Sequence, residues 1–215
     1  MARESYNIAI VGPSGRGKTM SLRNLDPDST GIINIEGKPL PFKNNFKYYD
    51  TPKSWNEAYD KLIEYAKNDK LNTVVLEDFN SYIDSLLASA RQIKKGFEVF
   101  NYYNTKIGEL MYVLKRYPKD IFMIAHTEKL ETDLGVSEER IAVKGKEWKG
   151  DIEKDFTIVN YADVEIKDDS ERDYFFRLNS DGIISAKTPP MLFEGKDKIP
   201  NDCKLIIDEL NDKLN

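Results

Sequence analysis

The sequence predicts an α/β fold built on a mainly parallel central sheet, with helices on its faces and an antiparallel extension toward the C-terminus. Three observations predict it. Short apolar runs suited to buried strands recur at Asn7–Val11, Thr73–Leu76 and Ile121–Ala125, and helical stretches with one apolar stripe alternate with them. The run Ile121-Phe122-Met123-Ile124-Ala125 shows no polar alternation, as a strand covered on both faces requires. Beyond residue 154 the pattern changes to alternating segments joined by turn residues, which reads as antiparallel pairing.

Element by element, Asn7–Val11 is the first strand and Thr19–Leu25 the helix that follows it. Asp26-Pro27-Asp28 breaks that helix, and Gly31–Glu36 is the second strand. After a polar, proline-containing loop, Phe46–Tyr49 reads as a short strand. Ser54 then caps a helix with Trp55, Ala58, Tyr59, Leu62 and Ile63 on one face. Thr73–Leu76 is the third buried strand. From Tyr82 a helix carries the stripe Ile83, Leu86, Leu87, Ala90 and Ile93, which Lys94-Lys95-Gly96 interrupts. A second long helix runs toward Tyr117 with Phe100, Tyr103, Ile107, Leu110, Met111 and Leu114 as its core stripe, and Pro118 ends it. Residues 127–154 are charged, contain Gly135, Gly145 and Gly150, and are expected to leave the sheet as a mobile loop or hairpin. Tyr161–Lys167 and Asp173–Leu178 alternate around the turn-prone Asp168-Asp169-Ser170. Ile183–Lys187 reads as a further short strand, and Asp202–Leu214 as the closing helix.

Composition narrows the class. A chain of 215 residues with 40% hydrophobic content suits one sizeable α/β domain spanning 1–215. Its 32 basic and 37 acidic residues give a net charge of -5, so no global basic field advertises nucleic acid and any DNA contact has to be local. The lone Cys203 excludes an internal disulfide framework and a cysteine-based zinc site, which suits a reducing cytoplasm. No apolar leader and no window of ~20 apolar residues is present. The expectation is a soluble cytoplasmic protein with no membrane partner.

The segment Gly12-Pro13-Ser14-Gly15-Arg16-Gly17-Lys18-Thr19 fits the pattern G-x-x-x-x-G-K-[ST], between a strand and a helix that begins with Met20. In that setting the glycines let backbone N–H groups turn inward around an anion. Lys18 supplies a point charge to the β- and γ-phosphates, and Thr19 a hydroxyl to Mg²⁺. A nucleoside triphosphate is the expected ligand.

Binding alone does not hydrolyse; an acid to order Mg²⁺ and a group to orient water are also needed. Glu77 and Asp78 end the third strand, and alternation sends neighbours to opposite sides, so one should reach the metal. Which one stays open, as does the reading in which both open the next helix as caps. Glu36 closes the second strand. In a parallel sheet the C-terminal strand ends gather at one edge, so Glu36, Glu77 or Asp78, and His126 converge on the phosphate loop. Glu36 is then the candidate to position or deprotonate the attacking water. His126, the chain's single histidine, is a candidate γ-phosphate sensor, with an ordinary hydrogen-bonding role as the alternative.

Two basic groups remain. Arg140, Lys144, Lys146 and Lys149 surround Trp148 in the charged excursion, a mixture able to grip a phosphate backbone and stack a base; a solvated loop is the competing reading. Lys187 is a candidate to reach a nucleotide in its own chain or in a neighbour's.

With these residues in hand the chain resembles the RecA-like P-loop ATPases, and more closely the phage-encoded AAA/RecA-type branch that includes ATPase-type single-strand annealing proteins. The likeness rests on Gly12–Thr19, on Leu22–Pro27 leading into Ile32–Phe42, on Val74–Phe79, on Ile121–His126, and on Ala186–Pro189 with Ile199–Asp202. The resemblance implies a RecA-type core that uses ATP and Mg²⁺. It puts Glu36 in the position of the catalytic glutamate, His126 in that of the strand-end sensor, and the region 127–149 where relatives carry mobile DNA-contacting loops. It further implies subunit assembly in which Lys187 acts across an interface, and a phage-encoded protein working in the host cytoplasm. The chain departs from the pattern at Glu77, where Asp is expected, and it shows no long N-terminal oligomerisation segment, so a filament is not among the expectations.

Two functions compete. The first is an ATPase that couples nucleotide state to single-stranded DNA binding or annealing in phage-type recombination or replication, with a single-strand-binding or replication protein as partner. The second is a nucleotide-gated interaction or scaffold protein with slow turnover and no direct grip on DNA.

Overall fold

A computed structural model describes residues 4–131, 135, 137–168 and 170–214. Its centre is an eight-stranded sheet in the order β10-β9-β8-β1-β5-β4-β2-β3. The strands are β1 (Asn7–Val11), β2 (Thr30–Asn34), β3 (Tyr48–Asp50), β4 (Thr73–Glu77), β5 (Asp120–Ala125), β8 (Ile158–Ile166), β9 (Arg172–Arg177) and β10 (Lys198–Pro200). From β8 to β3 every pairing is parallel, whereas β9 runs antiparallel to both β8 and β10. This is the expected α/β architecture with its antiparallel extension.

Alternation along each strand builds the two sides of the core. Ala9 and Val11 face one layer with Val74, Leu76, Ile121 and Met123, covered by α1 (Trp55–Ala66), α2 (Phe79–Ile93) and α3 (Glu98–Lys115). Ile8 and Ile10 face the other with Val75, Phe122 and Ile124, covered by the short 3-10 helix Thr19–Asn24 and by α4 (Cys203–Leu214). Helix starts follow capping chemistry. The hydroxyl of Ser54 accepts from the Glu57 amide at 3.3 Å, and the Asp78 carboxylate accepts from the amides of Asn80 and Ser81.

Several expected boundaries move. Asp78 as cap lets α2 begin at Phe79, ahead of the expected Tyr82. The segment after the phosphate loop winds as a 3-10 helix, and β2 ends at Asn34, which leaves Glu36 in the loop beyond it. At the α2–α3 connection, Ile93 and Phe100 leave their stripes: they are 58% and 40% exposed. Ile183–Lys187 is no strand but makes two isolated bridges to different neighbours, Ile184 to Glu139 and Lys187 to Val159, one parallel and one antiparallel. The short strand β10 escapes a periodicity argument, since three residues carry no period. Of the turn residues Asp168-Asp169-Ser170, Asp169 lies outside the described residues.

The excursion after β5 is a two-stranded antiparallel hairpin, β6 (Thr127–Glu131) with β7 (Ser137–Ile141), followed by a 3-10 turn at Ile152–Asp155. Its core side is fixed. Ile141 and Ile152 are fully buried, and the buried Glu153 carboxylate accepts the Ile141 amide at 2.6 Å. Among the described residues no helix is long and apolar enough to cross a membrane.

Candidate active site

Strand order creates the site. β5 lies between β1 and β4, so the loop after β1, His126 after β5 and Glu77 at the end of β4 stand side by side along one sheet edge, with the loop after β2 next. A cavity of about 690 Å³ opens there. Ser14, Gly15, Gly17, Lys18, Thr19 and Met20 line it on one side, and Glu36, Glu77, Asp78 and His126 on the other.

Lys18 is buried and its ammonium is fully engaged. It donates to Gly12 O at 2.7 Å, to Pro13 O at 2.8 Å, and to Nδ1 of His126 at 3.1 Å. Burial pulls its pKa down to about 8, against the opposing pull of Asp78, Glu77 and Glu36. Arg16, also in the loop, points to Asp163 at 3.3 Å and stays out of the cavity.

The two strand-end acids divide. Glu77 Oε1 accepts the Thr19 hydroxyl at 2.6 Å, and its Oε2 is buried with no hydrogen-bond partner. Burial pushes the Glu77 carboxyl up to about 7. Asp78 turns away: Oδ1 caps α2, and Oδ2 lies 3.2 Å from Nε2 of His126. A hydroxyl beside a carboxylate with a spare buried oxygen suits a hard divalent cation that keeps much of its water, and a nearby cation would favour the ionised Glu77. Thr19 and Glu77 therefore fit Mg²⁺.

Glu36 reaches the same cavity from the loop beyond β2 and pairs with Lys38. Asn34 shapes that loop: its amide donates to Lys38 O at 2.8 Å and to the Tyr49 hydroxyl at 2.7 Å, and its oxygen accepts the Gly37 amide at 2.9 Å. Asn80, which no sequence pattern singled out, joins the site to the hairpin. Its oxygen accepts the His126 amide at 2.7 Å and its nitrogen donates to Ala142 O at 2.9 Å.

The remaining candidates are elsewhere. Lys187 pairs through its backbone with Val159, near the start of β8, and its ammonium points to Lys154 O at 3.4 Å; it does not line the cavity. The chain therefore does not bring Lys187 to its own phosphate loop. Arg140 is held by Glu138 at 3.0 Å, Lys149 lies 3.4 Å from Glu128, and Lys144 stands 3.8 Å from Asp84. Lys146 is exposed. Trp148 is partly buried against the core, with its Nε1 buried and unpartnered. The cavity also has walls that sequence reasoning missed, among them Arg23, Tyr174, Pro200 and Asn201. Pro200 and Asn201 carried a signal only as part of the resemblance.

Comparison with known proteins agrees with this architecture. The family model described as an AAA domain, AAA_24, matches residues 4–198. Among solved structures the chain is similar to the KaiC-like protein PH0186 from the hyperthermophilic archaeon Pyrococcus horikoshii OT3. The identity is 11%, 81% of this chain and 78% of that chain are covered, and the TM-score is 0.51. At that identity the likeness shows the fold alone. No curated protein matches.

Proposed function

The chain belongs to the AAA domain family, and on that premise we propose that it is a Mg²⁺-dependent ATPase. The observation that carries the reading is the convergence of Lys18, Thr19, Glu77, His126 and Glu36 on one cavity at the sheet edge. The backbone amides of the Gly12–Thr19 loop and the Lys18 ammonium bind the β- and γ-phosphates. Thr19 and Glu77 hold Mg²⁺, which supplies charge neutralisation at the phosphates when bound. Glu36 orients water for in-line attack, and its proximity to Lys38 keeps the carboxylate aimed from its loop.

His126 senses the γ-phosphate. An ammonium can only donate, so Nδ1 accepts from Lys18 and Nε2–H faces Asp78. A phosphate that draws Lys18 away releases the imidazole, and Asn80 connects that event through the His126 backbone to Ala142 behind the hairpin.

For what the energy is used, the reading is coupling to single-stranded DNA in phage-type recombination or replication, within the host cytoplasm and with a single-strand-binding or replication protein as partner. Lys187 enters as a residue acting on a neighbour's nucleotide in a homo-oligomer. A second reading, a nucleotide-gated scaffold with slow turnover, is favoured by one observation: Arg140 and Lys149 are paired with acids and Trp148 is packed. ATP turnover with and without single-stranded DNA, at low and moderate salt, separates the two, with Glu36→Gln as the hydrolysis control. DNA that neither binds nor stimulates at low salt leaves the scaffold reading. Specific activity that is constant on dilution removes the role of Lys187.

A further inference from the structure

We infer that Asn201 reads the base of the bound nucleotide, with Tyr174 as the stacking surface, and that together they select adenine over guanine; this rests on the ATPase reading above. Asn201 is 5% exposed, and its side-chain nitrogen is buried with no hydrogen-bond partner, yet the residue lines the nucleotide cavity. A buried donor left unsatisfied is costly, and at the wall of a ligand cavity a ligand acceptor would satisfy it.

The position is that of a base. Gly17 backs directly onto this corner. A Cβ there would meet Tyr174 Cδ1 at 3.1 Å and the Asn201 amide at 3.3 Å, and the backbone φ of +82° already favours glycine. Lys18 and Thr19 mark the phosphate end, and Met20, Tyr174 and Asn201 line the same cavity, within reach of the rest of a nucleotide held by the loop. The corner is rigid. Arg23 donates to Asn201 O at 2.8 Å and to Met20 O at 3.0 Å, Asn24 donates to Asp202 Oδ2 at 2.6 Å, and the backbone N–H of Asn201 donates to Tyr174 O at 3.2 Å. The helix after the phosphate loop is thus tied to the residues that face the base.

A primary amide distinguishes the purines at the edge that carries N7. Adenine presents an acceptor at N7 and a donor at N6, which the amide satisfies together. Guanine presents two acceptors there, and no orientation of the amide satisfies both. Tyr174 offers a ring face that accepts either purine, so it adds affinity without selectivity.

The test is competition of ATP, GTP, 7-deaza-ATP and inorganic tripolyphosphate against a fluorescent ATP analogue. Wild type should prefer ATP over GTP by about tenfold or more, and 7-deaza-ATP, which lacks the N7 acceptor, should bind about tenfold more weakly than ATP. Asn201→Ala should bring ATP and GTP to equal affinity. Tyr174→Leu should weaken both alike by about tenfold, and Tyr174→Phe should restore them. Equal binding of ATP, GTP and 7-deaza-ATP by wild type overturns the base-reading role without recourse to any variant. If wild type binds neither nucleotides nor tripolyphosphate, it is the ATPase reading that fails.

Discussion

Nζ of Lys18 lies 3.1 Å from Nδ1 of His126, so the phosphate-loop lysine is tethered to the end of the neighbouring strand. With Gly12 O and Pro13 O as its other acceptors, each of the three ammonium protons has a partner. Incoming phosphate has to compete with those bonds. Replacing His126 with Ala should leave ATP affinity nearly unchanged while lowering kcat about 100-fold, because the ammonium that stabilises the developing charge loses the group that holds it in place. Phosphate release and nucleotide titration on the same preparation check this; an unchanged kcat removes the sensor.

Lys18→Ala should abolish ATP binding and leave the thermal midpoint close to that of wild type, because the ammonium is desolvated and pairs only with local carbonyls and His126. Micromolar ATP affinity retained in that variant would overturn the loop assignment.

Glu36 lies in a loop, not on a strand, and makes its ion pair with Lys38 at the cavity rim. Glu36→Gln keeps the shape and removes the base. Turnover should fall roughly 100-fold or more with ATP binding intact, so the variant should accumulate unhydrolysed ATP under single-turnover conditions. Burst hydrolysis at the wild-type rate would exclude the role.

Gly31 on β2 faces the Tyr65 ring, and a Cβ there would lie 2.6 Å from two of its ring carbons and 2.9 Å from Leu71 Cδ1. Tyr65 is locked by its hydroxyl bond to Asp50 at 2.6 Å, so it yields poorly. Gly31→Ala should cost about 1–3 kcal/mol. Urea denaturation should show the loss, and an unchanged midpoint would mean that the ring repacks freely.

Glu153 gives a pH signature distant from the phosphate loop. Burial raises its pKa, and its Oε2 has no partner. The folded state therefore holds this proton more tightly than the unfolded chain. Its contribution is fully present below the unfolded carboxylate pKa and is lost as pH rises through the raised folded value. Glu153→Gln should flatten the decline in thermal midpoint as pH rises above the ordinary carboxylate range. Parallel profiles for variant and wild type would contradict this.

Much of the site was legible because it lies at strand ends. Val11, Leu76 and Ala125 end apolar runs, so the polar residues after them are placed at one edge as soon as the strands are parallel. The hairpin was harder to read. Arg140, Lys149 and Trp148 look like a nucleic-acid grip as a list of residue types, yet Glu138 and Glu128 pair with the cations, and Trp148 packs partly buried against the core. Composition records none of those directions. Asn80 stayed invisible, and Asn201 entered only through the resemblance, for a related reason: a single asparagine gains meaning only from the groups opposite it.

The sequence by itself determined the phosphate loop, the buried strands that frame it and the acids and histidine at their ends, since apolar runs and glycine spacing are local properties. Tertiary structure alone decided that Glu77 meets Thr19 while Asp78 turns to His126, and that Lys187 stays away from the cavity. It also brought Asn201 to Arg23, 178 positions away in the chain. Such pairings depend on strand order and side-chain direction, which arise only when the sheet has closed around its two cores.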